Sequence, residues 1–102
     1  TVWKGSHHIM TAMFAATFAG HAPEAWPDVD VTTPYQEARR QVFETCERHA
    51  LPSAPGEAVL VHRHLVHGVA PWGEQASGSP DGRMIAYIRP EFPTIAAWLD
   101  AP

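Results

Sequence analysis

Two short apolar runs, punctuated by glycine and proline, do most to constrain what this chain can fold into. The first is Pro55-Gly56-Glu57-Ala58-Val59-Leu60-Val61-His62-Arg63-His64-Leu65-Val66-His67-Gly68. The second is Gly82-Arg83-Met84-Ile85-Ala86-Tyr87-Ile88-Arg89-Pro90. Brief apolar, β-branched stretches closed off by Gly and Pro are too short for core helices and read as strands. They predict strands over 57–62, 65–70 and 83–89, with Arg63-His64 at the first turn. A polar loop over 71–82 carries Gly73, Gly78, Pro80 and Gly82. Thr1 to Lys4, β-branched and aromatic, reads as a strand end.

The rest of the chain reads as helix and loop. Ser6 can cap a helix whose apolar residues are Ile9, Met10, Met13, Phe14 and Phe18, with Gly20 at its C-terminal end. Residues 21–31, with two prolines and Asp28-Val29-Asp30, read as loop. Thr33 as N-cap, Pro34 at the first helical position and Gln36 in a capping box predict a helix to about His49. Its apolar stripe is Tyr35, Ala38, Val42, Phe43 and Cys46, and Glu37, Arg40, Glu44 and Glu47 face water. A short helix over 94–99 closes the chain.

Composition narrows the partners. One hundred and two residues allow one domain. A net charge of −4 with no basic cluster argues against a nucleic-acid surface. No run approaches the roughly 18 apolar residues of a membrane span, and no signal peptide is evident. Cys46, the single cysteine, permits neither an internal disulfide nor a thiolate zinc site, and it fits a reducing cytoplasm. Seven histidines in so short a chain raise the prospect of a metal.

Strand alternation locates the candidate chemistry. Leu65, His67 and Val69 share one face of the second predicted strand, and Arg83, Ile85 and Tyr87 one face of the third. If the 71–82 loop joins them as antiparallel neighbours, His67 and Arg83 open into one cavity. An inward guanidinium needs an anion, and a bound carboxylate matches its fork with two hydrogen bonds. Taken singly, His67 reads as a structural histidine and Arg83 as a surface charge. Gly68, which lets a ligand approach closely, shifts both toward a site for a divalent metal beside an organic acid.

Trp3-Lys4-Gly5-Ser6-His7, then Gly56-Glu57-Ala58-Val59-Leu60-Val61, Leu65-Val66-His67-Gly68 and Arg83-Met84-Ile85-Ala86-Tyr87, resemble in this order the C-terminal half of the phytanoyl-CoA dioxygenase family. The resemblance touches most of the chain and leaves the helix around 34–49 as an insertion. It implies a β-rich fold of α+β content, part of a double-stranded β-helix or jelly roll, with two accessory helices. It implies an Fe(II)- and 2-oxoglutarate-dependent dioxygenase that hydroxylates a small organic substrate. By the match, His67 is the distal histidine of a triad of two histidines and one carboxylate. Arg83 binds the far carboxylate of 2-oxoglutarate. Ser6 and His7 match the family's Gly-Ser-His turn near the pocket. Trp3, Trp72 and Tyr87 are further candidates for its lining, with packing or a surface position as the alternative for each.

Two departures from the family pattern stand out. The loop between His67 and Arg83 is long and rich in Gly and Pro. The His-x-Asp or His-x-Glu pair that would complete the triad occurs nowhere in the sequence. Residues 1–102 therefore read as the C-terminal portion of a single oxygenase domain, inactive alone. A missing first half, a second chain or a homodimer would complete the barrel. Two other readings stay open. His62 and His64, at i and i+2 after Gly56, copy the opening of a cupin metal motif. The chain could also be a non-catalytic jelly-roll fragment that pairs with another polypeptide.

Overall fold

The computed structural model describes residues 1–69 and 85–101. The elements run in the order β1 (Val2–Trp3), α1 (Ser6–Phe18), a 3₁₀ helix (Pro23–Asp28), α2 (Thr32–Thr45), β2 (Arg48–His49) and α3 (Ile95–Asp100). Helix accounts for 45 % and strand for 6 % of the described residues, which overturns the β-rich jelly-roll expectation.

The physical reason is the difference between local and non-local hydrogen bonding. A helix satisfies its backbone within the segment, whereas a strand needs a partner from elsewhere in the chain. Among the described residues, the predicted strand over 57–62 pairs with nothing. Val59 is largely exposed, and Leu60 is 100 % exposed. Residues 85–89 of the third predicted strand form no strand either, and Ile88 is 87 % exposed. Of the second, one antiparallel bridge survives, Val2 opposite His67.

That bridge sits on one side of β1, and β2 pairs with the other. Val2 faces His49 and Trp3 faces Arg48, and the Lys4 amide donates to the Glu47 carbonyl at 2.8 Å. β1 is thus flanked by two segments distant in sequence. This pairing also ends α2 early: Cys46 is already extended, and Arg48-His49 join the sheet where the sequence suggests helix to about His49.

Both long helices start differently from their sequence signals. Gly5, with φ of +78°, occupies the N-cap of α1, so Ser6 becomes the first helical residue. Only glycine adopts that backbone cheaply. α2 starts at Thr32 after Val31 and has no side-chain cap, so the Thr33–Gln36 capping box is not formed. Instead Asp30 Oδ1 accepts the Thr32 amide at 2.9 Å, and hydrogen bonding from the Thr32 side chain, then from this amide, holds the Asp30 carboxyl below its ordinary range. α3 begins one residue after its expected start, with Thr94 Oγ1 accepting the Ala97 amide at 3.1 Å.

α1 packs on α2 around Met10, Ala38 and Val42, with Trp3, Ile9, Met13, Phe14, Cys46 and Val66 against them. Burying a side chain such as Val42 contributes about 1.5–3 kcal/mol. A row of rings extends this core. Trp26 stacks on Phe18 at 4.9 Å, Phe18 on Phe14 at 5.8 Å, and Phe14 meets the Trp98 edge at 5.0 Å. The row links the 3₁₀ helix, α1 and α3. Among the described residues no helix is long and apolar enough to cross a membrane.

Candidate functional site

His67 lies on the bridged segment and is exposed. Its Nδ1 lies 2.7 Å from the Leu65 carbonyl oxygen. A carbonyl only accepts, so Nδ1 carries a proton, and in the neutral ring Nε2 is then the nitrogen with the lone pair. This is how a second contact fixes the tautomer of a metal-binding histidine and leaves the other nitrogen for the metal. The backbone on both sides of the ring is fastened to β1. The Trp3 amide donates to the Val66 carbonyl at 3.0 Å, and the Gly68 amide donates to the Thr1 carbonyl at 3.0 Å.

The Gly5-Ser6-His7 turn sits directly against this segment. Ser6 is fully buried, and its Oγ accepts the Val66 amide at 2.8 Å. His7 is half-buried and points elsewhere, toward His8 and His62, with ring centroids 3.9 and 5.1 Å away. Trp3 packs rather than lines a pocket: it meets the Phe43 ring at 5.0 Å and lies under the Arg48 guanidinium. Tyr87 is 61 % exposed beneath Arg89. Arg83 and Trp72 lie outside the described residues, as does the loop over 71–82.

A second histidine group joins His7 to the His62 and His64 pair. His62 and His64 are brought to 5.3 Å, and His62 to 5.1 Å from His7. They are not on a strand: the Leu65 amide donates to the His62 carbonyl at 2.9 Å, closing a turn. Within that turn the His64 amide donates to His62 Nδ1 at 3.1 Å. His64 Nδ1 lies 2.7 Å from Thr11 Oγ1, and its ring is wedged between Phe14 and Trp98. The same-face chelation expected of an i, i+2 strand pair is therefore not formed.

Electrostatics follows from this packing. Burial, then the neighbouring Arg63 and His62, pushes the His64 pKa down to about 4. Burial likewise lowers His62, aided by Arg63 and His7, and it lowers His7, aided by His8. The three imidazoles are neutral at pH 7. His7 Nδ1 is buried with no hydrogen-bond partner among the described residues. No three His, Cys, Asp or Glu side chains converge on a metal position among the described residues. A centre of two histidines and one carboxylate is therefore not assembled among the described residues.

Arg63 plays a structural part the sequence does not announce. Its guanidinium donates to the carbonyls of Trp98 and Ala101, and to that of Leu99 at 3.4 Å. These are carbonyls at the C-terminal end of α3, which lack partners inside the helix and favour a cation. The motif gives no hint of this, because the contact spans 35 residues or more. No family model, no curated protein and no solved structure matches this chain.

Proposed function

We propose that this chain is part of an Fe(II)- and 2-oxoglutarate-dependent oxygenase acting on a small organic substrate. In this reading His67 is a protein ligand to the metal, and Arg83 holds the far carboxylate of 2-oxoglutarate. The observation that supports it best is the state of His67, with Nδ1 engaged by the Leu65 carbonyl and Nε2 without a hydrogen-bond partner among the described residues, on an exposed residue. The motif order adds support, because the Trp3–Ser6 and Leu65–Gly68 segments quoted for the resemblance are hydrogen-bonded neighbours. Bound iron with 2-oxoglutarate would supply oxygen activation for C–H hydroxylation. The chain's own part is to present one oriented imidazole and, through Arg83, one two-pronged carboxylate contact.

The remaining ligands belong to another segment or a second polypeptide, which would also cover the exposed residues Val59, Leu60, Tyr87 and Ile88. A reducing cytoplasm, with Cys46 a free thiol, is the compartment assigned with this reading.

Mn(II) titration with NMR of the histidine rings tests the proposal. Paramagnetic broadening is expected first at His67, strengthened by 2-oxoglutarate, and the strengthening is lost in Arg83→Lys. Broadening centred on His62 and His64 would favour the cupin-type metal site instead. A His67 ring untouched by Mn(II) would end the oxygenase reading.

A further inference from the structure

We infer that Ser6 is the positioning residue for His67. It does this by standing in for a strand backbone, and its link to chemistry rests on the reading of His67 as a metal ligand. Val2 and His67 form an antiparallel bridge, with Thr1–Gly68 on one side of it and Trp3–Val66 on the other. In an antiparallel pair of this type, the residues on either side of the bridge exchange hydrogen bonds in both directions. Thr1 and Gly68 do so: the Gly68 amide donates to the Thr1 carbonyl, and the Thr1 nitrogen donates to the Gly68 carbonyl, both at 3.0 Å.

Trp3 and Val66 complete only half of their exchange. The Trp3 amide donates to the Val66 carbonyl at 3.0 Å. The return bond would run from the Val66 amide to the Trp3 carbonyl, but that amide donates to Ser6 Oγ at 2.8 Å. The chain has already left the strand, turning at Gly5 with φ of +78° into α1. The Ser6 hydroxyl therefore takes the place of the missing strand acceptor.

Burial makes this substitution obligatory. Ser6 is 0 % exposed, so a lost hydroxyl leaves the Val66 amide without a replacement from water. Val66 itself packs on the Met10–Ala38–Val42 core, which holds its backbone in place. With Val66 fastened through both its amide and its carbonyl, and Gly68 through both of its own, the peptide units flanking His67 are clamped on each side. The ring is then kept within reach of the Leu65 carbonyl through Nδ1, and Nε2 has no partner among the described residues. Ser6 touches no reacting atom in this scheme. It fixes the register and direction of the residue that does.

The full chain tests this. Hydrogen exchange in the unmodified protein should show the Val66 amide protected to the same degree as that of Gly68, and an unprotected Val66 amide would overturn the inference. In Ser6→Ala the Val66 protection should fall about tenfold or more. The ¹⁵N shifts of the His67 ring should move from the Nδ1-protonated tautomer toward a mixture. Ser6→Thr, which keeps the hydroxyl, should restore both readouts. Phe18→Leu, which perturbs the far end of α1, should leave both unchanged. Equal effects of Ser6→Ala and Phe18→Leu on the His67 ring would overturn the inference by reducing Ser6 to general packing. These readouts need no metal. A tautomer shift in Ser6→Ala alongside a His67 ring that never responds to Mn(II) would support the positioning role and end the oxygenase reading alone.

Discussion

His64 offers the most quantitative test of how this structure holds together. Its ring is 4 % exposed, wedged between Phe14 of α1 and Trp98 of α3, and within 2.7 Å of Thr11 Oγ1. The charged groups facing it are Arg63, with His62 and His7 when protonated. A proton on His64 would sit beside an existing positive charge and away from water, which is why its pKa falls from 6.5 to about 4. At about 1.36 kcal/mol per unit, that drop corresponds to about 3 kcal/mol. In the folded chain His64 is neutral across the window in which the unfolded chain takes up a proton. Stability therefore rises with pH between about 4 and 6.5, is complete above 6.5, and is lost as pH falls toward 4. A loss of this size is a large share of the roughly 5–15 kcal/mol available to a typical domain.

The perturbation that isolates this effect is His64→Phe, which keeps a ring among the aromatic neighbours and removes the titration. Urea unfolding followed by far-ultraviolet circular dichroism, at a series of pH values from 4 to 7.5, gives the stability of both chains. The wild-type curve should climb by about 3 kcal/mol more than the variant's across that range. His62 and His7, also lowered by burial, titrate in both proteins and largely cancel in the comparison. Parallel curves, with a constant gap at every pH, would refute the reasoning.

Two further outcomes are expected. Arg63→Met should release α3, because a six-residue helix has little stability of its own and loses its guanidinium contacts at the C-terminal carbonyls. Hydrogen exchange at the Ala97 and Ala101 amides should accelerate at least about tenfold while α1 and α2 keep their protection, and unchanged exchange would show that the Phe14–Trp98 contact alone suffices. Light scattering should give a mass above 11.2 kDa, since Leu60 and Ile88 stand almost wholly in water; a compact monomer would count against a second polypeptide covering them.

The legibility of the chain divides along one physical line. The three α-helices were readable, with ends shifted by a few residues, because their hydrogen bonds and apolar spacing lie within a segment, whereas the 3₁₀ helix Pro23–Asp28 falls in a stretch that reads as loop. Even so, Asp30 rather than Thr33 receives the first amide of α2, and Gly5 rather than Ser6 caps α1. Both are choices among adjacent polar groups that spacing cannot rank. The runs over 57–62 and 83–89 were legible only as apolar. An apolar run becomes a strand when another strand lies alongside, and no partner for 57–62 or 85–89 exists among the described residues.

What the sequence determined by itself was α1, α2 and the short α3, and a lone cysteine. The tertiary structure alone decided that Ser6 meets Val66 across 60 residues, that His62 and His64 gather with His7, and that Arg63 anchors α3. Contacts of that kind depend on which distant segments share a core. That choice is made by burial and backbone pairing summed over the whole fold, and no local pattern of side chains carries it.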